Sequence, residues 1–378
     1  MKSAIHKLLS AGPVDEAAIV AFLRGHSFPI IEGREATFVY YGPADAVHLR
    51  HWVYGLASSQ SFHRVEGTDL WHHTLELPPQ SRVEYKLEVV QNGQRQWIQD
   101  PLNPNLAHDP FGANSVCHGQ GYRRPGWTEP DPDARAGTLK EMLFKETALG
   151  GPRRVSVYLP ARFRESRRYP LLIVHDGGDY MRYASLQAVL DNLIHRLEVA
   201  PLVVALTHPG DRLSEYPNHP GHAKFIAEQL LPEMQAKFPL FDTPASRCLM
   251  GASFGGVASL ATAWRYPGVF GRLLLQSGSF AFTDIGENKR GPTFARVVEF
   301  INAFRDRPGK PSEKVYVSCG TYESLIYENR SMVPVLQATG MDVRYEEARD
   351  GHNWENWRDR LRSGLSWLFP GPLWMVYE

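Results

Sequence analysis

Three side chains in the later part of the sequence have the types and the order needed to attack an acyl carbon. Ser253 lies in Gly251-Ala252-Ser253-Phe254-Gly255-Gly256, a G-x-S-x-G pattern. A hydroxyl is a weak nucleophile until a base takes its proton, and His352, in Asp350-Gly351-His352-Asn353-Trp354, is the candidate base. The imidazole needs a carboxylate to orient it and to stabilise its cation. Glu323, in Gly320-Thr321-Tyr322-Glu323-Ser324-Leu325, is the candidate, with Glu328 and Asp350 as rivals. Glu328 reads as a solvent-facing residue of the following helix, and Asp350, two residues from His352, as a shaper of its loop. The developing oxyanion needs N–H donors. The amide of Phe254 is one. The other is expected from His175-Asp176-Gly177-Gly178-Asp179-Tyr180, where Gly177 or Gly178 lets backbone approach a substrate, with no choice between them.

These residues need strand ends to hold them. From about Thr138 onward apolar runs end in small or turn-forming residues: Leu171–Val174 into His175, Leu202–Leu206, Leu249-Met250 into Gly251, Leu273–Leu275 into Gln276-Ser277-Gly278, and Val315–Val317 into Ser318-Cys319-Gly320. Helical candidates lie between them, at Leu186–Leu197, Ala223–Lys237 and Val257–Arg265. Buried strands alternating with helices indicate a doubly wound, mostly parallel sheet, whose ligands sit at the carboxyl ends of the strands. Val343–Ala348 reads as a last strand before His352, and Asn356–Leu368 as a closing helix. The order Ser, acid, His is that of the α/β-hydrolase fold.

The first part differs in texture. Pro13–Leu23 reads as an amphipathic helix, with Asp15 and Glu16 at its start and Gly25 beyond its end. Val83, Tyr85, Leu87 and Val89 alternate with Glu84, Lys86 and Glu88, and Asn92-Gly93 signals a hairpin. Short alternating strands of this kind suggest a small β-sandwich. The expected organisation is a helical segment over 1–30, a sandwich over 31–121, a proline-rich linker over 122–137 and a catalytic domain over 138–378. Tyr122 and Trp127 suggest that the linker is docked.

The elbow, the His-Asp-Gly-x-Asp-Tyr loop and Gly351-His352-Asn353-Trp354-Glu355-Asn356-Trp357-Arg358 resemble the enterochelin (enterobactin) esterase family, within the esterase-D group of α/β hydrolases. Gly67-Thr68-Asp69-Leu70-Trp71-His72 and Asp100-Pro101-Leu102-Asn103-Pro104 are similar to that family's N-terminal immunoglobulin-like module. The resemblance implies hydrolysis of catecholate-siderophore or other aromatic esters, with Ser253 as nucleophile, His352 as base and the Glu323 position as acid. Related feruloyl and acetyl-xylan esterases share the catalytic domain, and the same residues support acyl transfer. Arg212, Tyr180, Trp354 and Trp357 are candidate substrate-binding residues. Trp354 and Trp357, three apart, are equally candidate core anchors of the last helix. Arg182, Arg330 and Arg358 could join Arg212 around an anionic substrate. Trp52, Trp71 and Trp97 are possible stacking platforms if the sandwich instead binds a polysaccharide.

Composition narrows the partners. The 41 Lys and Arg balance the 41 Asp and Glu, which gives no electrostatic reason to expect nucleic acid or an anionic membrane. No window approaches the roughly 20 apolar residues of a membrane span. Cys117, Cys248 and Cys319 are widely spaced and read as buried free thiols in a reducing, cytoplasmic compartment. His175 and Asp176 lack further ligands at metal spacing, so no metal or cofactor is expected. The expected partner is a small-molecule ester; the sequence is silent on oligomeric state.

Overall fold

Strand alternation builds the first part of the chain. Val83, Tyr85, Leu87 and Val89 are buried in one strand, and Asn92 and Gly93 take φ of 51° and 73° to turn it back on the next. Positive φ at both turn residues matches the twist of the flanking strands. The computed structural model describes residues 3–283 and 291–372. Its chain divides into two compact units. One holds Met1–Arg124 with Gly320–Glu323 and Ala348–Asn353; the other holds Pro125–Cys319 with Ser324–Glu347 and Trp354–Glu378.

In the first unit, helices α1 (Ala4–Ser10) and α2 (Glu16–Arg24) precede two antiparallel sheets. Asp15 caps α2, its carboxylate accepting from the Ala18 amide at 2.8 Å. One sheet runs β1 (Ile30–Glu32), β2 (Glu35–Tyr41), β6 (Leu70–Glu76), β5 (His63–Arg64). The other runs β4 (Ser59–Ser61), β3 (Ala46–His51), β7 (Arg82–Gln91), β10 (Gly112–His118), β9 (Leu106–Asp109), with β8 (Gln94–Ile98) also on β7. Phe38, Leu49, Trp71, Tyr85 and Cys117 share the core of this unit. Trp71 is therefore a core residue and not a stacking platform, whereas Trp52 and Trp97 are 54% and 50% exposed. Glu88 points away from the core yet is buried, because Arg50, Arg95 and the Trp97 indole close over it.

In the second unit eight strands form one sheet, in the order β11 (Thr138–Phe144), β12 (Arg153–Leu159), β14 (Val203–Thr207), β13 (Leu171–Val174), β15 (Arg247–Ala252), β16 (Arg272–Gln276), β17 (Lys314–Gly320), β18 (Asp342–Ala348). β11 and β12 pair antiparallel, and β14 through β17 pair parallel. The helices are α3 (Gly177–Tyr183), α4 (Leu186–His195), α5 (Arg212–Glu215), α6 (Pro220–Lys224), α7 (Leu231–Lys237), α8 (Phe254–Arg265), α9 (Ala295–Asp306), α10 (Ile326–Ala338) and α11 (Trp354–Leu368). Residues Phe225–Leu230 join α6 to α7 as a π-helical stretch. Alternate strand residues feed two cores. Ile173, Leu249, Leu273 and Leu275 pack with α7 to α10; Leu172, Val174, Met250 and Leu274 pack with α3, α4 and α11. The linker is docked here: Trp127 joins the second core, and the Asn192 side chain donates to the carbonyls of Trp127 and Glu129 at 2.9 and 2.7 Å.

Leu274 is fully buried on the middle of β16. Leu274→Ala should cost about 2–5 kcal/mol, the usual range for a core leucine. Leu139→Ala, at an exposed strand position, should change stability by no more than about 0.5 kcal/mol. Thermal unfolding of both variants checks the contrast.

Candidate active site

Ser253 sits where β15 gives way to α8, at φ 57° and ψ −120°. A non-glycine residue at positive φ costs about 1–3 kcal/mol and persists only where its surroundings impose it. They do so here. The Ser253 amide donates to the Gln276 carbonyl at 2.9 Å, and its own carbonyl accepts from the amides of Gly256, Val257 and Ser279. A Cβ on Gly251 would lie 2.3 Å from the Gly255 carbonyl carbon, so only glycine lets the strand and helix approach this closely. The Ser253 side chain is partly exposed, and its Oγ lies 3.1 Å from Ser279 Oγ.

The loop after β13 holds the two glycines that were candidates for the second donor. Asp176 takes a left-handed φ of 56° and α3 starts at Gly177. The Asp179 and Tyr180 amides close on the Asp176 carbonyl, so the Gly177 and Gly178 amides precede the helical bonding. A Cβ on Gly177 would meet Leu206 Cβ at 2.5 Å, whereas one on Gly178 would meet only the His208 ring at 3.1 Å. Gly177 is thus required by packing against β14, and Gly178 is the more open of the two. Arg212 ties this loop to the elbow. Its Nε donates to both Asp176 oxygens at 3.0 and 2.9 Å, and its Nη2 donates to the Ala252 carbonyl at 3.3 Å. Burial raises the Asp176 carboxyl above its ordinary range, against the pull of Arg212.

Beneath the loop lies a buried histidine pair that the sequence reading missed. His175 Nδ1 donates to the Met250 carbonyl at 3.0 Å, which makes its Nε2 the acceptor of the bond to His222 Nε2 at 2.9 Å. Burial pushes the His175 imidazole down to about 4, and it lowers His222 too. Both nitrogens of His175 are occupied by these bonds, and the Asp176 carboxylate by Arg212.

In the first unit the loops after β17 and β18 meet. His352 Nδ1 lies 2.5 Å from Glu323 Oε2, while Glu323 Oε1 accepts from the Gly320 amide at 2.7 Å. The carboxylate is 1% exposed and the imidazole 37%. An ionised carboxylate can only accept, so Nδ1 carries the proton and Nε2 is left as the basic nitrogen. Amides of Thr321 and Tyr322 donate to the carbonyls of Ala348 and Asp350, holding the loops together. Asp350 accepts from the Gly351 amide, the Asn353 side chain and Arg82, which is the bonding of a loop former. Glu328 lies on α10 but is buried, which corrects the solvent-facing expectation: its turn of the helix faces the protein interior.

The substrate-binding candidates separate. Tyr180 is fully buried and donates its hydroxyl to Gln276 Oε1 at 2.7 Å, so it braces the sheet and has no exposed surface for a ligand. Trp357 is a core anchor whose Nε1 donates to Ser277 Oγ at 2.9 Å. Trp354 is half-buried, edge-on to Tyr180 and Trp357 at 5.2 and 4.9 Å. The arginines hold separate partners: Arg212 with Asp176, Arg330 with Glu347, Arg358 with Asp359 and Glu355, and Arg182 over the Tyr183 ring. Ser279 and the histidine pair carried no sequence signal beyond their neighbourhood, Ser279 being two residues past the Gln276-Ser277 strand end.

Comparison with known proteins agrees with the resemblance read from the motifs. The family described as putative esterase matches residues 146–368. An iron(III) enterobactin esterase of Escherichia coli O6:H1 is 26% identical over 369 residues, covering 88% of this chain and 90% of that protein. The crystal structure of the enterobactin esterase FES from Shigella flexneri, in the presence of enterobactin, matches with a TM-score of 0.72 at 23% identity, over 91% of this chain and 94% of its own. A ferulic acid esterase structure matches with a TM-score of 0.52 at 18% identity, over 62% of this chain and 98% of its own. The fold is that of an α/β hydrolase preceded by an all-β domain. No described helix is long and apolar enough to cross a membrane.

The histidine pair gives a pH prediction. The folded His175 binds its proton only near pH 4, the unfolded one at its ordinary value of 6.5. Between those values the unfolded chain takes up the proton first, so stability is full above the window and falls as pH drops through it, by about 3 kcal/mol for this group. Urea unfolding at about pH 7.5 and about pH 4 should therefore show a loss in the wild type that His175→Gln/His222→Gln does not share. That comparison cancels the opposite contribution of Asp350, whose carboxyl burial pushes up to about 6. Equal losses in both proteins would contradict the buried neutral pair.

Proposed function

We propose that this chain, which belongs to the putative esterase family and is on that ground an ester hydrolase, works as a serine esterase through an acyl-enzyme. The observation that carries this reading is the 2.5 Å bond between His352 Nδ1 and the buried Glu323 carboxylate, which places the ring proton on Nδ1 and makes Nε2 the basic nitrogen. It is supported by the strained backbone of Ser253, which holds a partly exposed hydroxyl at the end of a central strand.

In the reaction, His352 Nε2 takes the Ser253 proton as Oγ bonds to the acyl carbon. Glu323 stabilises the imidazolium that results. The carbonyl electrons move onto oxygen, and the oxyanion takes hydrogen bonds from the amides of Phe254 and of Gly178 or Gly177. The tetrahedral species collapses, the alkoxide leaves with the proton from His352, and Ser253 carries the acyl group. Water then repeats the sequence, releasing the acid and restoring the serine. An added alcohol in place of water would give acyl transfer by the same steps.

For the substrate we favour small-molecule esters with an aromatic acyl group of the catecholate-siderophore kind, acted on in the cytoplasm. Support comes from the alignment with an iron(III) enterobactin esterase over 88% of the chain and from the three buried free thiols. Feruloyl or acetyl-xylan esters are the second reading, favoured by the likeness to a ferulic acid esterase over 62% of the chain. The exposed Trp52 and Trp97 favour polysaccharide binding by the sandwich as a non-catalytic role.

Rapid mixing with a p-nitrophenyl ester should give a burst of p-nitrophenol equal to the enzyme present, followed by slower turnover. Ser253→Ala should abolish the burst and lower kcat by about 10⁴- to 10⁶-fold; undiminished turnover would sink the serine mechanism. Ferric enterobactin, feruloyl and acetyl esters compared by kcat/KM should rank the catecholate ester first, and a preference for acetyl-xylan would select the second reading.

A further inference from the structure

One short piece of the sandwich holds both the Glu323 loop and the His352 loop. Ser81 Oγ lies 2.5 Å from the hydroxyl of Tyr322, the residue before Glu323, and the Pro79 carbonyl accepts from Arg349 at 2.7 Å. Arg82, the first residue of β7, does more. Its amide donates to the Arg349 carbonyl at 2.9 Å. Its Nη1 donates to Asp350 Oδ1 at 3.1 Å and to Asn353 Oδ1 at 3.0 Å, so its contacts bracket His352 on both sides in the chain. Its Nη2 donates to Glu84 at 2.9 Å, and the side chain is wholly buried.

We propose that Arg82 is a positioning residue for the general base, a guanidinium from the sandwich that fixes the Arg349–Asn353 loop and so the place of His352 Nε2. The proposal rests on the serine-esterase reading above. The Glu323 bond sets the rotation of the imidazole, but a ring is no better placed than the backbone beneath it. That loop has Gly351 before the histidine and a polar residue on either side, with no apolar side chain among Arg349–Asn353 to pin it. Beside the amide bonds from Thr321 and Tyr322, what fixes it is a charge-assisted fork from Arg82, and charge-assisted bonds are roughly twice as strong as neutral ones. Burial pushes the Asp350 carboxyl up to about 6 even with the guanidinium beside it, which marks how much the loop's charged form depends on Arg82. A buried carboxylate without its partner would be protonated or would drag the loop toward water. Either event moves His352, and a displacement of about 1 Å at a catalytic group can cost about 10²-fold in rate.

The test uses the full chain. Arg82→Gln should lower kcat for p-nitrophenyl butyrate by about 10²-fold while KM changes by less than about threefold, and Arg82→Lys should recover about tenfold of that loss. The far-downfield proton resonance of His352 Nδ1 should shift or broaden in Arg82→Gln. A folded Arg82→Gln enzyme, by circular dichroism and thermal midpoint, with kcat within about twofold of wild type overturns the proposal. If Arg82→Gln does not fold, Asn353→Ala decides, because it removes one tine of the fork at a half-buried position: about a tenfold loss in kcat at an unchanged thermal midpoint supports the proposal, and unchanged kcat overturns it. Ser253→Ala and His352→Ala run alongside. Activity in either overturns the serine-esterase reading and this proposal with it, whereas two inactive controls beside a fully active Arg82→Gln remove the role of Arg82 alone.

Discussion

A carboxylate held almost out of water beside an imidazole is the constraint on which the site depends. Glu323 is 1% exposed, and an isolated buried carboxylate is expensive. The chain meets that cost with the Gly320 amide on one oxygen and His352 on the other. The same bond selects the imidazole tautomer, since Nδ1 must donate. Two loops far apart in sequence then have to arrive together, and β17 and β18, neighbours in the sheet, deliver them.

A second constraint acts at Ser253. The turn at Ser253 is bought with backbone strain, and Gly251 and Gly255 in near contact are what allow it to close. Behind it, His175 and Ser259 form a buried polar seam, with the Ser259 hydroxyl donating to the Gly255 carbonyl and accepting from His175. Arg212 continues the seam from Asp176 to Ala252. The Asp176 loop and the Ser253 turn are thus one hydrogen-bonded body, and such a buried network rigidifies what it joins.

Much of this was legible in the sequence because chemistry and backbone requirements coincide there. Ser253 could be read from a strand, a tight glycine turn and a helix, and Glu323 and His352 from their positions after strands. The alternation of Val83, Tyr85, Leu87 and Val89 gave its strand directly. What was not legible needed the third dimension. Arg82 and Asp350 meet across 268 positions, and no local pattern marks a buried arginine at the head of a strand. Tyr180 looked available for a ligand because it ends a glycine loop, but its turn of α3 aims it into the core. Glu328 was misread for the complementary reason: a charged residue on a helix defaults to solvent until its neighbours are known. The Ala4–Ser10 helix lies in the segment over 1–30 expected to be helical, but it was not given bounds of its own, since His6 and Lys7 interrupt so short a pattern. The second helix was read as Pro13–Leu23 but runs over Glu16–Arg24, because Asp15 caps it and leaves Pro13 outside.

The central claim is that Ser253 becomes covalently acylated with His352 as its base. Stopping turnover with a fluorophosphonate and sequencing the labelled peptide by mass spectrometry tests it most directly. One adduct per chain is expected, on Ser253, formed far more slowly in His352→Ala. An adduct on another residue, or labelling at the wild-type rate without His352, would contradict it.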